Sequence, residues 1–175
     1  MKTWLAVLAL ITVDAASEAQ QPAGGPACAS ADYGKLDFWV GDWTVASASG
    51  EAEGTNHIEK ILGGCAIQEN WKDVEGHEGK SLFYFQPVLK IWKQVWVTDQ
   101  GPIKEKTLLA AYAGPGVRFQ GELPRKDGSG TYLDRTTLVP GERGTVRQII
   151  EISLDGGKTW DAKYTWEGIY TPVKR

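Results

Sequence analysis

From residue 36 onward the chain alternates apolar and polar positions in short runs, and glycine-rich turns break them. A period of two marks half-buried strands, because successive side chains of a strand point to opposite faces of the sheet. The pattern predicts ten strands at 42–47, 54–60, 65–73, 80–86, 91–98, 104–113, 117–123, 130–139, 145–153 and 161–171. Turn signals separate them, among them DQGP at 99–102, GPG at 114–116, KDG at 126–128 and DGG at 155–157. Beyond the N-terminus only 33–40 suggests a helix, and a short one. Nearly every connection is of hairpin length, so strands adjacent in sequence are adjacent in the sheet. A twisted meander of this size closes on itself and removes its edges, whereas a sandwich requires a longer crossing connection. The expectation is an all-β domain over 33–175. It is a single closed antiparallel up-and-down barrel of about 8–10 strands with a short N-terminal helical turn.

The first residues break this pattern. Met1 and Lys2 precede an apolar run of ten residues at 4–13, which is too short to span a bilayer core needing about 20 residues. Small residues and a cleavage-type SEA at 17–19 follow. Residues 1–19 therefore read as a signal peptide, and 20–32, rich in Pro, Gly and Ala, as a flexible arm. The chain holds two cysteines, Cys28 and Cys65, both beyond the leader. In an oxidising compartment they are expected to form a disulfide that ties the arm to a strand. A formal charge of −3 is too balanced for a nucleic-acid partner, and no later segment suits membrane insertion. The expected location is the periplasm or the medium.

Candidate chemistry lies on the strand faces. One face of the fifth strand carries Trp92, Gln94, Trp96 and Thr98, and one face of the third carries Cys65, Ile67, Glu69 and Trp71. Gln148 shares a face with Ile150 and Ile152, and Trp166 and Tyr170 flank Gly168, which leaves room for another group to approach. Aromatic rings interleaved with amides and a carboxyl suit a small-molecule pocket, where a few polar groups orient a ligand against aromatic walls. The competing reading is a packed minicore in which Gln94 is merely hydrogen-bonded. The expected ligand-binding set is Glu69, Trp71, Tyr84, Trp92, Gln94, Trp96 and Gln148. A buried Glu69 would serve as a general acid or base, or pair with an arginine such as Arg135 or Arg147.

Other motifs narrow the field. His57 and His77 are the only histidines, and neither has a companion at metal-ligand spacing. A haem held by one of them is a remote alternative. No phosphate loop, nucleophile elbow or dinucleotide fingerprint occurs, so no cofactor is expected. SLDGGKTW at 153–160 matches the Asp-box pattern at every specified position. It occurs once, in a chain too short for a propeller, and reads as a structural hairpin.

LDFWVGDW at 36–43, GTNHI at 54–58, GGCAIQENW at 63–71, WKQVW at 92–96 and VRQ at 146–148 running into the Asp box also carry a likeness. Together they resemble exported bacterial lipocalin-like, or calycin-like, domains of unknown function. The resemblance implies a β-barrel in a Gram-negative envelope and brings no catalytic residue with it. It also gives Gly41 and Trp43 the part of the Gly-x-Trp that closes a lipocalin floor. The function expected is binding of a small, mostly apolar or aromatic molecule inside the barrel. The rivals are an isomerase- or hydrolase-type enzyme with Glu69 or Glu151 as base, and a ligand-free envelope interaction module.

Overall fold

A computed structural model describes residues 27–174. The leader expected at 1–19 and most of the arm lie outside the described residues. Ten antiparallel strands form one closed barrel: β1 (Gly41–Ser47), β2 (Ala52–Ile61), β3 (Ala66–Asp73), β4 (Glu78–Gln86), β5 (Ile91–Thr98), β6 (Ile103–Leu108), β7 (Val117–Pro124), β8 (Thr131–Pro140), β9 (Val146–Ser153) and β10 (Trp166–Pro172). Each strand pairs with its neighbours in sequence, and β1 pairs with β10 to complete the circle, Val45 opposite Tyr170. The meander thus closes as the hairpin-length connections require.

Two strands depart from their sequence expectation by more than two residues at one end. β6 ends at Leu108 rather than 113, because the chain turns at Leu109, whose carbonyl accepts from the Tyr112 amide. The Tyr112 ring is then taken by the Arg118 guanidinium, 4.2 Å away. Gly116, at φ +76°, runs so close to β8 that a Cβ would lie 1.9 Å from the Leu138 carbonyl oxygen. β10 begins at Trp166 rather than 161, because the Asp161 side chain accepts from the Lys163 amide and starts a 3-10 turn over Ala162–Tyr164.

The N-terminal segment closes one end. In place of a helix over 33–40 there are two 3-10 turns, Ala31–Gly34 and Asp37–Trp39. They deliver Leu36 and Trp39, both fully buried, into the barrel end. Trp39 stacks against Trp43 at 5.9 Å and meets Tyr170 at 4.6 Å, and the Trp43 indole donates to the Trp39 carbonyl. Trp43 therefore does occupy the barrel floor. Phe85, Trp92, Phe83, Phe119, Ile67, Leu138 and Val146 complete the apolar layer. The Trp92 Nε1 donates to the Asp32 carbonyl at 2.9 Å, pinning the plug from the side.

Cys28 and Cys65 form the expected disulfide, Cα to Cα 5.0 Å, so the described part of the arm is bonded to the start of β3. With a separation of 37 residues, loop closure contributes roughly 3–4 kcal/mol through the unfolded chain. Thermal unfolding with and without reductant tests this. The wild type should lose thermal stability on reduction, whereas a Cys28→Ser/Cys65→Ser variant should start at the reduced value and not respond.

Candidate functional site

The apolar plug fills one end only. Towards the other end the inward faces carry polar and aromatic side chains, and they surround a cavity of about 520 Å³. This volume falls within the range of small-molecule sites. Trp71, Trp96 and Trp166 stand in its upper wall. Each indole occupies the space that a side chain would take on a glycine. A Cβ on Gly54 would lie 2.8 Å from the Trp71 ring, on Gly79 2.1 Å from Trp96, and on Gly168 2.3 Å from Trp166. The group that Gly168 admits is thus the ring two residues before it on the same strand.

Below the tryptophans lies a hydrogen-bonded chain. Glu69, buried on β3, accepts from Asn56 Nδ2 on β2 at 2.7 Å and from Ser81 Oγ on β4 at 2.5 Å. Gln94 on β5 donates to Ser81 Oγ at 3.1 Å. Tyr170 on β10 donates to Gln148 on β9 at 2.5 Å, and Asn56 also lies against the Tyr170 hydroxyl. Burial raises the Glu69 pKa, outweighing the two hydrogen bonds and the nearby Lys106 charge. Burial likewise raises Tyr170 well above the usual tyrosine range. The other end of the Asn56 amide, Oδ1, is buried without a hydrogen-bond partner.

Cations face Glu69 across the cavity. Lys106 on β6 is buried, donates to Thr136 Oγ1 at 2.5 Å, and contacts Asp134 Oδ1. Lys104, nearer the mouth, contacts the other Asp134 oxygen at 2.8 Å. Asp134 is completely buried, so two ammonium groups share one shielded carboxylate. Desolvation lowers Lys106 to about 8, against the opposing pull of Asp134. Gly121 permits the local crowding: a Cβ there would lie 2.0 Å from the Glu105 carbonyl oxygen and 3.3 Å from the Lys106 side chain.

Of the seven residues expected to bind a ligand, Glu69, Trp71, Gln94, Trp96 and Gln148 line the cavity together. Trp92 does not line it; register places it in the apolar floor beside Phe85, its indole spent on Asp32. Tyr84 alternates to the outer face and is 37% exposed. Glu151 also faces outward, held by Arg135 at 2.6 and 2.7 Å, and this bidentate pairing lowers its pKa. It is not a cavity base. Arg147 pairs with Glu167, so neither arginine reaches Glu69. Lys104, Lys106, Thr136, Trp166 and Tyr170 also line it, as do Glu53, Asp73, Gln100 and Ile150, and none of these was anticipated as a ligand contact. Alternation along 103–108 does place Lys104, Lys106 and Leu108 on one face, but two lysines on a strand ordinarily signal solvent.

The remaining motifs lie outside the cavity. His57 is exposed on β2, 2.5 Å from Asp42, and His77 sits in the β3–β4 turn, so neither offers an axial position to a group inside. No cluster of three or more metal-type side chains occurs among the described residues. The Asp box is a hairpin device. Asp155 accepts from Ser153 Oγ at 2.8 Å and from the Thr159 amide at 2.9 Å, and Thr159, first among its partners, lowers Asp155 to about 2. Trp160 packs under the Arg135 guanidinium at 3.6 Å. No helix among the described residues is long and apolar enough to cross a membrane.

These features define a calycin-like closed barrel with one sealed end and one open, polar-floored cavity. No protein-family model matches the chain, and no curated protein matches it significantly.

Two consequences are measurable. A raised carboxyl pKa means that the Glu69 proton stabilises the fold. This contribution is complete below the ordinary value of 4.5 and is lost as pH climbs through the higher folded-state value. The stability of Glu69→Gln relative to wild type should therefore grow from pH 4 to pH 9 in urea titrations. A difference independent of pH would show that Glu69 does not titrate abnormally. Asp134→Asn strands a buried ammonium and should cost about 3–5 kcal/mol by denaturant unfolding, whereas Glu167→Gln on the outer surface should cost about 1 kcal/mol or less.

Proposed function

We propose that this chain is an exported calycin-like barrel that holds a small, largely aromatic or apolar molecule in the open half of its interior. The observation that carries this reading is the cavity of about 520 Å³, walled by Trp71, Trp96 and Trp166 over a floor of Glu69, Gln94, Lys106 and Gln148. Burying polar groups costs stability, and a barrel serving structure alone would fill this space with aliphatic side chains. Support for export comes from the leader-like sequence at 1–19 and from the disulfide, a bond suited to an oxidising compartment. The resemblance to exported lipocalin-like domains points the same way.

A second reading keeps the cavity and adds turnover. Glu69 has a raised pKa, lies on the cavity wall and has no cation within salt-bridge distance among the described residues, as a general acid or base requires. Under this reading Glu69→Gln retains binding and loses turnover.

Native mass spectrometry of protein recovered from the periplasm of a Gram-negative host tests the first reading. The expected species begins near residue 20 and carries a small-molecule adduct that Trp96→Ala reduces. A full-length, cytoplasmic product overturns export. Absence of an adduct, with no tryptophan-fluorescence response to a panel of aromatic compounds, overturns binding.

A further inference from the structure

The ladder between β6 and β7 is the shortest in the barrel. It has two rungs, Thr107 opposite Gln120 and Leu108 opposite Phe119, whereas every other neighbouring pair has five to eight. Continued in the same register, Lys104 would face Leu123 and Ile103 would face Pro124. Those rungs do not form. Backbone amides alternate sides along a strand, and the Arg125 amide donates across the β7–β8 hairpin to the Gly130 carbonyl at 2.8 Å. Position 124 is therefore turned towards β6, and its proline has no N–H to donate there.

A second open cavity, of about 850 Å³, takes the place of the missing rungs and is lined by Ile103, Lys104, Leu123 and Pro124. Lys104 and Leu123 belong to the inner faces of their strands, whereas Ile103, 60% exposed, and Pro124 face outward. A space bounded by both faces of both strands passes through the barrel wall. Gln100 and Lys104 line this cavity and the tryptophan-walled one alike, so the two adjoin.

The lateral cavity differs in chemistry from its neighbour. Ile152 and Leu154 join Leu123 and Ile103 in an aliphatic wall, and the β7–β8 turn adds Arg125, Lys126 and Asp127. Asp127 accepts from the Ser129 amide at 3.0 Å, within its own turn. The Lys104 charge is answered by Asp134. Lys126 is exposed and makes no ion pair among the described residues. An aliphatic segment suits this wall, and an anionic end complements the two cations of the turn. Resting on the binding reading above, we propose that the ligand is an aromatic ring bearing an aliphatic arm with an anionic end. The ring lies among Trp71, Trp96 and Trp166, the arm leaves the barrel between β6 and β7, and the anion meets Arg125 and Lys126.

Three probes test the assignment by isothermal titration calorimetry at low salt, where exposed charges are least screened. 4-Phenylbutanoate has a short arm, 8-phenyloctanoate a long one, and 8-phenyloctan-1-ol the long arm without the charge. 8-Phenyloctanoate should bind roughly tenfold or more tightly than 4-phenylbutanoate, and about fivefold more tightly than the alcohol. In Arg125→Gln/Lys126→Gln the acid and the alcohol should bind equally. Ile103→Asp, a change at an exposed position, sets a carboxylate in the slot and should abolish most of the advantage of the long arm. A preference for the acid that survives the double variant, or a long-arm advantage unchanged in Ile103→Asp, overturns the proposal. Binding of 4-phenylbutanoate with no gain from the longer arm also overturns it and leaves the binding reading standing. If none of the three binds, both fail.

Discussion

The packing of Trp39 between Trp43 and Tyr170 seals one end of the barrel, and the arrangement of the interior follows from that seal. A closed sheet removes its edges but leaves two open ends, and ten strands enclose more space than inward side chains fill. Two 3-10 turns bring Leu36 and Trp39 into one end, while the disulfide and the Trp92–Asp32 hydrogen bond hold those turns in place. Apolar burial is thereby concentrated in one half. The other half is left free for a cavity, with tryptophans in its wall and polar groups at its floor.

The polar half persists because its groups answer one another. A carboxyl group in a low-dielectric interior is costly when charged, so burial raises the Glu69 pKa against the hydrogen bonds it accepts from two flanking strands. Lys106 is treated differently, keeping a counter-charge in Asp134, which is itself shared with Lys104. Buried ion pairs rarely exceed well-packed apolar residues in net stability.

The outer surface follows simpler rules, although Arg135 and Arg147 were assigned from sequence to Glu69 and the ion pairs there were missed. Arg135 with Glu151 and Arg147 with Glu167 are cross-strand neighbours on paired strands. The Asp box is local along the chain, since Asp155, Ser153 and Thr159 reach one another within a single turn. Strand number, strand order and the grouping of side chains into two faces per strand were legible in the sequence. Period-two alternation and hairpin-length loops are local properties, and in a closed meander local order determines global order. Five of the seven anticipated ligand contacts lie on the cavity wall because residues grouped on one strand face by alternation point the same way. Tyr84 was misjudged against that same rule, since it alternates outward from Phe83 and Phe85.

What alternation cannot give is position along the barrel axis. Trp92, Gln94 and Trp96 share one face, yet the first belongs to the sealed floor and the other two to the cavity. Only the plug decides between them, and its residues lie some 60 positions earlier in the chain. Lys106 and Asp134 come from strands that are not hydrogen-bonded neighbours, so no local pattern announces their pairing. The sequence by itself determined the closed barrel, which residues share a strand face, and the cysteine pair, through short-range periodicity and composition. The tertiary structure decided which end is open, which polar groups are buried and what each lacks, because those depend on contacts across the lumen.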